Sequence, residues 1–308
     1  MWTFLGRRLG MGFLTIFVTT VAVTVLIHLV PGDPVQIMYA QSQGTTPEQL
    51  EEIRRSLGLD RPIAEQYVRF LGRLLHGDLG TTVRGQQSVA ALILQRLPNT
   101  LLLAFTAMGI ALLIGLPLGF LAAYHRGQLL DTALMSLAIA GISIPHFWLG
   151  LLLLFTFAVE LQWLPVAGTG GANLVLPAVT LGLSNAAIVA RMTRSAMIDV
   201  MSQDFVRTAH ARGLPKALVL RRHVLRAGLV PVVTTLGMQF ATMMGGAIVV
   251  ENIFAWNGVG RLAIEAIFQR DYPMIQGFIL VFATVVVIVS ILLDVAYALL
   301  DPRIRRPA

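Results

Sequence analysis

The chain has 308 residues, of which 56% are hydrophobic and only 13% charged, and it carries a net charge of +7. Soluble domains hold about 25% charged residues, so a soluble enzyme, a disordered chain and a nucleic-acid-binding domain are all disfavoured. Cysteine is absent, which excludes disulfides, thiolate nucleophiles and cysteine-type metal sites.

A helix needs about 20 apolar residues to cross the hydrocarbon of a bilayer. Six stretches meet that length in chain order: Leu9 to Val30, Thr100 to Tyr124, Thr132 to Val159, Ala172 to Ala190, Ala227 to Val250 and Met274 to Leu293. Lipid offers no partner to a bare backbone, so each is read as a helix. The first is too long for a signal-peptide core and runs into Pro31-Gly32-Asp33-Pro34 without a small-residue cleavage site, so it reads as an uncleaved anchor.

The loop after the first span has two amphipathic segments. Thr46 to Leu59 has Pro47 at its first position, acids early, arginines late and Gly58 near its end, the order a helix dipole favours. Ile63 to His76 gathers Ile63, Tyr67, Phe70, Leu71, Leu74 and Leu75 near one face. Between the fourth and fifth spans lies a basic loop, 191–226. Ser202 or Gln203 starts a short helix there, Gly213 stops it, and Pro215 opens a second helix.

The charges are sided. Fourteen of the 23 basic residues and four acids lie in the N-terminal tail, the turn 124–131, the loop 191–226 and the C-terminal tail, giving +10. The opposite loops net −1. By the positive-inside rule both termini are expected in the cytoplasm, and the basic residues read as topology determinants near lipid head groups.

Catalytic motifs are missing. The single lysine, Lys216, has no serine or threonine after it, so no P-loop exists, and the six histidines lack metal-ligand spacing. No catalytic residue, metal site or cofactor is therefore expected on this chain. Asp294, near the end of the last span, is expected to pair with an arginine of the basic loop. Ser143, Pro145, Ser184, Asn185, Gln239, Thr242 and Met243 are candidate pathway-lining positions, and the polar ones also suit bonds between helices.

Asp204-Phe205-Val206-Arg207-Thr208-Ala209-His210-Ala211-Arg212-Gly213-Leu214, followed by Arg222-His223-Val224-Leu225-Arg226 and Pro231, resembles the cytoplasmic "EAA" loop of binding-protein-dependent ABC importer permeases. The dipeptide/oligopeptide/nickel subfamily is the nearest in pattern. Leu29 to Pro34, Leu57 to Pro62, Gly77 to Gly80, Ala190 to Arg194, Glu251 to Phe254, Gly258 to Arg261, Arg270 to Pro273 and Asp301 to Arg305 extend the likeness along the chain. Arg207 and Thr208 stand where the general pattern has Glu and Ala, and Arg226 where it has Pro, as they do in the peptide-type subfamily. Asn257 replaces the proline usual in a Trp-Pro-Gly motif.

The resemblance implies an all-α permease of six transmembrane helices with the type I ABC importer fold. Its parts would be residues 1–30 as tail and first span, 31–99 as an extracytoplasmic loop, and 100–308 as a five-helix core. Asp204, Phe205, Val206, Arg207, Thr208, Ala209, Ala211, Arg212, Gly213 and Leu214 would form the coupling helix seated on an ATPase. Partners would be a second homologous permease, two ATPases that carry ATP and Mg, an extracytoplasmic substrate-binding protein and the lipid bilayer. Peptides are the expected cargo; nickel or a metal chelate is the alternative, to which Trp163 to Gly168 and the loop Glu251 to Arg261 lean slightly. A gradient-driven secondary transporter would want inverted repeats and ionisable residues at mid-span, and neither is evident.

Overall fold

The computed structural model describes residues 2–29, 60–83, 86–168 and 170–300, together with residues 48, 51 and 55. The expected helix at Thr46 to Leu59 falls almost wholly outside them; Glu48, Glu51 and Arg55 are helical. So do the loop motif at Pro31 to Pro34, the tail after Leu300 and the side chain of Asp294.

Eleven α-helices organise the described residues: α1 (Trp2–Leu29), α2 (Ile63–Leu75), α3 (Val89–Tyr124), α4 (Leu129–Ser143), α5 (His146–Leu153), α6 (Val175–Met201), α7 (Asp204–Ala211), α8 (Lys216–Val219), α9 (Leu225–Ile253), α10 (Val259–Gln269) and α11 (Tyr272–Leu300). π-helical turns continue α5 over Leu154–Glu160 and join α8 to α9 over Leu220–Val224. Among the described residues, four helices are long and apolar enough to cross a membrane, and six spans result only if two bent pairs each count as one.

One bend corrects the expectation of an unbroken span from Thr132 to Val159. α4 and the segment His146–Glu160 meet at 97°. Proline disfavours the α conformation of the residue before it, and Ile144, ahead of Pro145, is extended at φ −81° and ψ 120°. A composition count sees a 28-residue oily run there; the backbone sees a stop.

α3 and α6 form the spine. Ala107, Ala111, Gly115, Gly119 and Ala123 recur every fourth residue on α3 and are all buried. Ala178, Gly182, Ala186 and Ala190 do the same on α6. A spacing of four keeps such residues on one helix face, and small side chains let two backbones approach closely in a membrane. The fit is tight: a β-carbon added at Gly119 would lie 2.3 Å from the Ala190 carbonyl oxygen, and one at Gly115 would lie 2.7 Å from that of Ala186.

The core beside this spine holds Leu103, Leu181, Phe240, Met243, Met244 and Trp256 from α3, α6, α9 and the turn after it. α1 packs antiparallel to α11: Gly12 faces Val287 and Ile291, while Thr24 accepts a hydrogen bond from Gln276 at the other end. α2 rests on α1 through a 3.0 Å bond between Tyr67 and Thr20, with Phe70 buried. Asp271 caps α11, accepting from the Met274 N–H at 3.1 Å and from the Val83 N–H at 3.0 Å. Burial pushes its carboxyl above the ordinary range.

Candidate functional site

The loop between α6 and α9 folds as a bracket around α7. α6 ends at Met201, and Gln203, extended at ψ 151°, serves as the N-cap of α7. Asp204 lies in the first turn, where a carboxylate complements the helix dipole. Val206 and Ala209, three residues apart, point to one side and are buried with Ala123, Met197, Val200, Val219, Leu220 and Val224. The remaining positions face outward. Phe205 is 42% exposed, the Arg207 side chain 80%, and Asp204, Thr208, His210, Ala211 and Arg212 are exposed as well.

Gly213 closes α7 by a specific geometry. Its φ of +78° is left-handed, its N–H donates to His210 at 2.9 Å, and the Leu214 N–H donates to Ala209 at 3.3 Å. This pair of bonds is the Schellman arrangement, in which an apolar residue after the cap folds back on the helix. Leu214 does so, packing half-buried on the cluster that holds Ala209. α7 is therefore bolted down along one edge, and its cap fixes the angle at which Phe205, Arg207, Thr208, Ala211 and Arg212 face outward. Arg191, Arg221, Arg222 and Arg226 are also exposed at this end, so the presented surface is basic.

The candidate pathway positions separate. Ser143 and Pro145 are exposed beside the 97° bend, with the Ser143 hydroxyl donating to Ile139 of its own helix. Ser184 is buried and donates to Thr180. Asn185 is buried, donates to Leu181 and accepts from Gln239, tying α6 to α9. Met243 has no exposed surface and sits in the core. Thr242 lies on the outward stripe of α9 with Met238, Gly245, Val249 and Asn252. These positions follow alternating steps of four and three, one face of a helix, and hydropathy alone does not say which face of this largely apolar helix looks outward.

At the opposite end a second constellation joins α3, α9 and α10. Glu251 is fully buried. It accepts from the Thr100 hydroxyl at 2.6 Å, from the Arg261 N–H at 3.0 Å and from the Gly260 N–H. Thr100 accepts in turn from the Val259 N–H at 2.8 Å. The carboxyl thus occupies the N-terminus of α10, and Gly258 and Gly260 leave it room. Trp256 donates to the Asn99 carbonyl, and Asn99 donates to the Asn257 carbonyl. That contact uses the backbone of Asn257, so its replacement of a proline leaves the corner intact. Replacing Glu251 with alanine strips three buried donors of their acceptor, at about 1–3 kcal/mol each. Thermal unfolding in detergent should show Glu251→Ala destabilised by about 3 kcal/mol or more, and Glu251→Gln, which keeps one acceptor oxygen, by less.

Residues 115–306 match the family described as binding-protein-dependent transport system inner membrane component, and residues 1–104 match the N-terminal family of the same membrane components. The chain is 40% identical, over 99% of both sequences, to the di/tripeptide transport system permease protein DppB of Pseudomonas aeruginosa. It is 39% identical, over 94% of this chain and 95% of the relative, to the glutathione transport system permease protein GsiC of Escherichia coli strain K12. Among solved structures, the MetNI methionine ABC transporter in an inward-facing conformation aligns with a TM-score of 0.59 at 19% identity, covering 68% of this chain and 96% of that one. An amino acid ABC transporter with histidines aligns at a TM-score of 0.52 and 18% identity, covering 76% and 98%. At such identities these two speak for the fold alone.

Proposed function

The chain belongs to the binding-protein-dependent transport system inner membrane components, and from that membership we propose that it is one of two permease subunits of an ATP-driven importer of short peptides. The observation that carries the reading is α7: a capped helix, fixed along one apolar edge, with a basic outward face. Two ATPases holding ATP and Mg would seat the paired coupling helices, a second permease would complete the pathway, and an extracytoplasmic binding protein would deliver cargo.

The basic end, with α7 and both chain termini, is assigned to the cytoplasm by the positive-inside rule. Six spans follow if each bent pair crosses once. The α9 stripe at Met238, Thr242, Gly245, Val249 and Asn252 would then line the pathway, since Thr242, Gly245 and Asn252 on it suit a passing hydrated cargo better than lipid. Peptide cargo is favoured over nickel or a metal chelate because relatives with near-complete coverage are named for di/tripeptide, dipeptide and glutathione transport.

The test is reconstitution in liposomes with the partner permease, both ATPases and the binding protein. Labelled dipeptide, tripeptide, glutathione and a nickel chelate are supplied in turn. ATP-dependent uptake of a peptide that needs every component is expected. Uptake driven by a proton or sodium gradient without the ATPases would overturn the reading, and uptake confined to the nickel chelate would overturn the cargo.

A further inference from the structure

Asp131 of α4 and Arg194 of α6 form an ion pair whose carboxylate is buried and whose guanidinium is partly exposed. Asp131, in the first turn of α4, is 4% exposed. It holds Arg194 of α6 in a two-pronged contact: Arg194 Nε donates to Oδ1 at 2.6 Å and Nη2 donates to Oδ2 at 2.7 Å. Asp131 Oδ2 also accepts from the N–H of Gly127, in the left-handed turn that joins α3 to α4. The fork geometry of a guanidinium on a carboxylate fixes orientation as well as distance. Further along the same two helices the contact at Gly141 is apolar, with its β-carbon position 3.4 Å from the Ala187 β-carbon. Such surfaces slide more readily than a bidentate pair.

The location gives the pair its meaning. Arg194 lies seven residues before the end of α6, about 10 Å from Met201 at 1.5 Å per residue, and α7 follows after two residues. From Asp131 in its first turn, α4 continues to Ser143 and stops at the 97° bend. Beyond the bend, α5 leans on α9 and on the Glu251 corner, with Gly246 near His146 and Phe254 near Gly150. The ion pair is thus a polar fastening between the helix that leads into α7 and the helix that ends in the bend.

We infer that Asp131 and Arg194 are positioning residues that make α4 travel as one body with α6 and α7, so that movement imposed at α7 is delivered to the bend at Ile144-Pro145. Without the pair, α7 still seats on its ATPase but α4 lags, and hydrolysis runs without a matching change at the bend. This deepens the permease reading and rests on it.

The experiment uses the full reconstituted complex and reads three quantities: subunits retained, ATP hydrolysed and peptide taken up. Arg194→Gln is expected to keep the subunits and hydrolysis within about twofold while uptake per ATP falls about tenfold, within the range of ordinary coupling energies. The chain has no cysteine of its own, and the Gly141–Ala187 separation is close to that of a disulfide. Adding Gly141→Cys and Ala187→Cys to Arg194→Gln should therefore restore uptake per ATP on oxidation and lose it again with reductant. Unchanged uptake per ATP in Arg194→Gln overturns the inference. Should Arg194→Gln shed subunits, the oxidised triple variant decides: restored assembly without restored uptake per ATP overturns it too. An ATPase that fails to bind the unmodified permease overturns the parent reading, which separates that failure from a failure of the fastening.

Discussion

Gly119→Leu should prevent α3 and α6 from closing and leave little folded permease to extract from the membrane. The reason is where the new atoms would go. A β-carbon at position 119 lies 2.3 Å from a backbone oxygen of Ala190 and 2.6 Å from the β-carbon of Thr193. Neither obstacle is the free end of a flexible side chain, so the helices must separate. Overpacking a core costs about 1–3 kcal/mol and sometimes more, against a total stability of about 5–15 kcal/mol. Here the separation also loosens the small-residue ladder from Ala107 to Ala123, so at least about 3 kcal/mol is expected. Gly109 on the same helix is the control. It has open space around its β-carbon position, and Gly109→Ala should be neutral or gain about 0.5–1 kcal/mol from helix propensity. Size-exclusion profiles and melting curves in detergent measure both. A monodisperse Gly119→Leu protein with an unchanged melting point would refute the spine described above.

The second large effect is expected at Gly213, and it separates folding from coupling. Proline locks φ near −65° and has no N–H, whereas Gly213 sits at φ +78° and donates to His210. Gly213→Pro thus removes both bonds of the cap and turns α7 away from its seat on Val200, Leu220 and Val224. A loss of about 3 kcal/mol at the cap lowers the docked population roughly a hundredfold. Peptide uptake should fall by that factor. The membrane helices, anchored elsewhere, should still assemble. Gly213→Asn provides the contrast, because asparagine tolerates the left-handed region; it should keep uptake within about threefold of the unmodified protein. Wild-type uptake by a well-assembled Gly213→Pro complex would end the assignment of α7 as the coupling helix.

These two glycines show how differently sequence signals translate. Gly213 was legible as a stop because a helix end is a local event: a short amphipathic run, a glycine, then Pro215. Gly119 was legible only as one of many glycines in a membrane helix. Its importance depends on Ala190, 71 positions away, lying against it. The fourfold spacing of small residues on α3 and α6 is visible in the sequence, but that the two ladders face each other is a fact of packing.

Sequence alone determined the class of protein, because hydrophobic length, sided charge and helix-end chemistry are carried by neighbouring residues. It yielded a helical membrane chain and the helix–stop–helix pattern of the basic loop 191–226. Tertiary structure decided the rest, because pairing and burial are set by residues distant in the chain. Val206 and Ala209 turn inward where the other nine positions from Asp204 to Leu214 stay exposed or half-exposed. Asn185 and Gln239 satisfy each other across α6 and α9, and Asp131 finds Arg194 over a separation of 63 residues. The oily run from Thr132 to Val159 breaks at Ile144-Pro145, where backbone sterics override hydropathy.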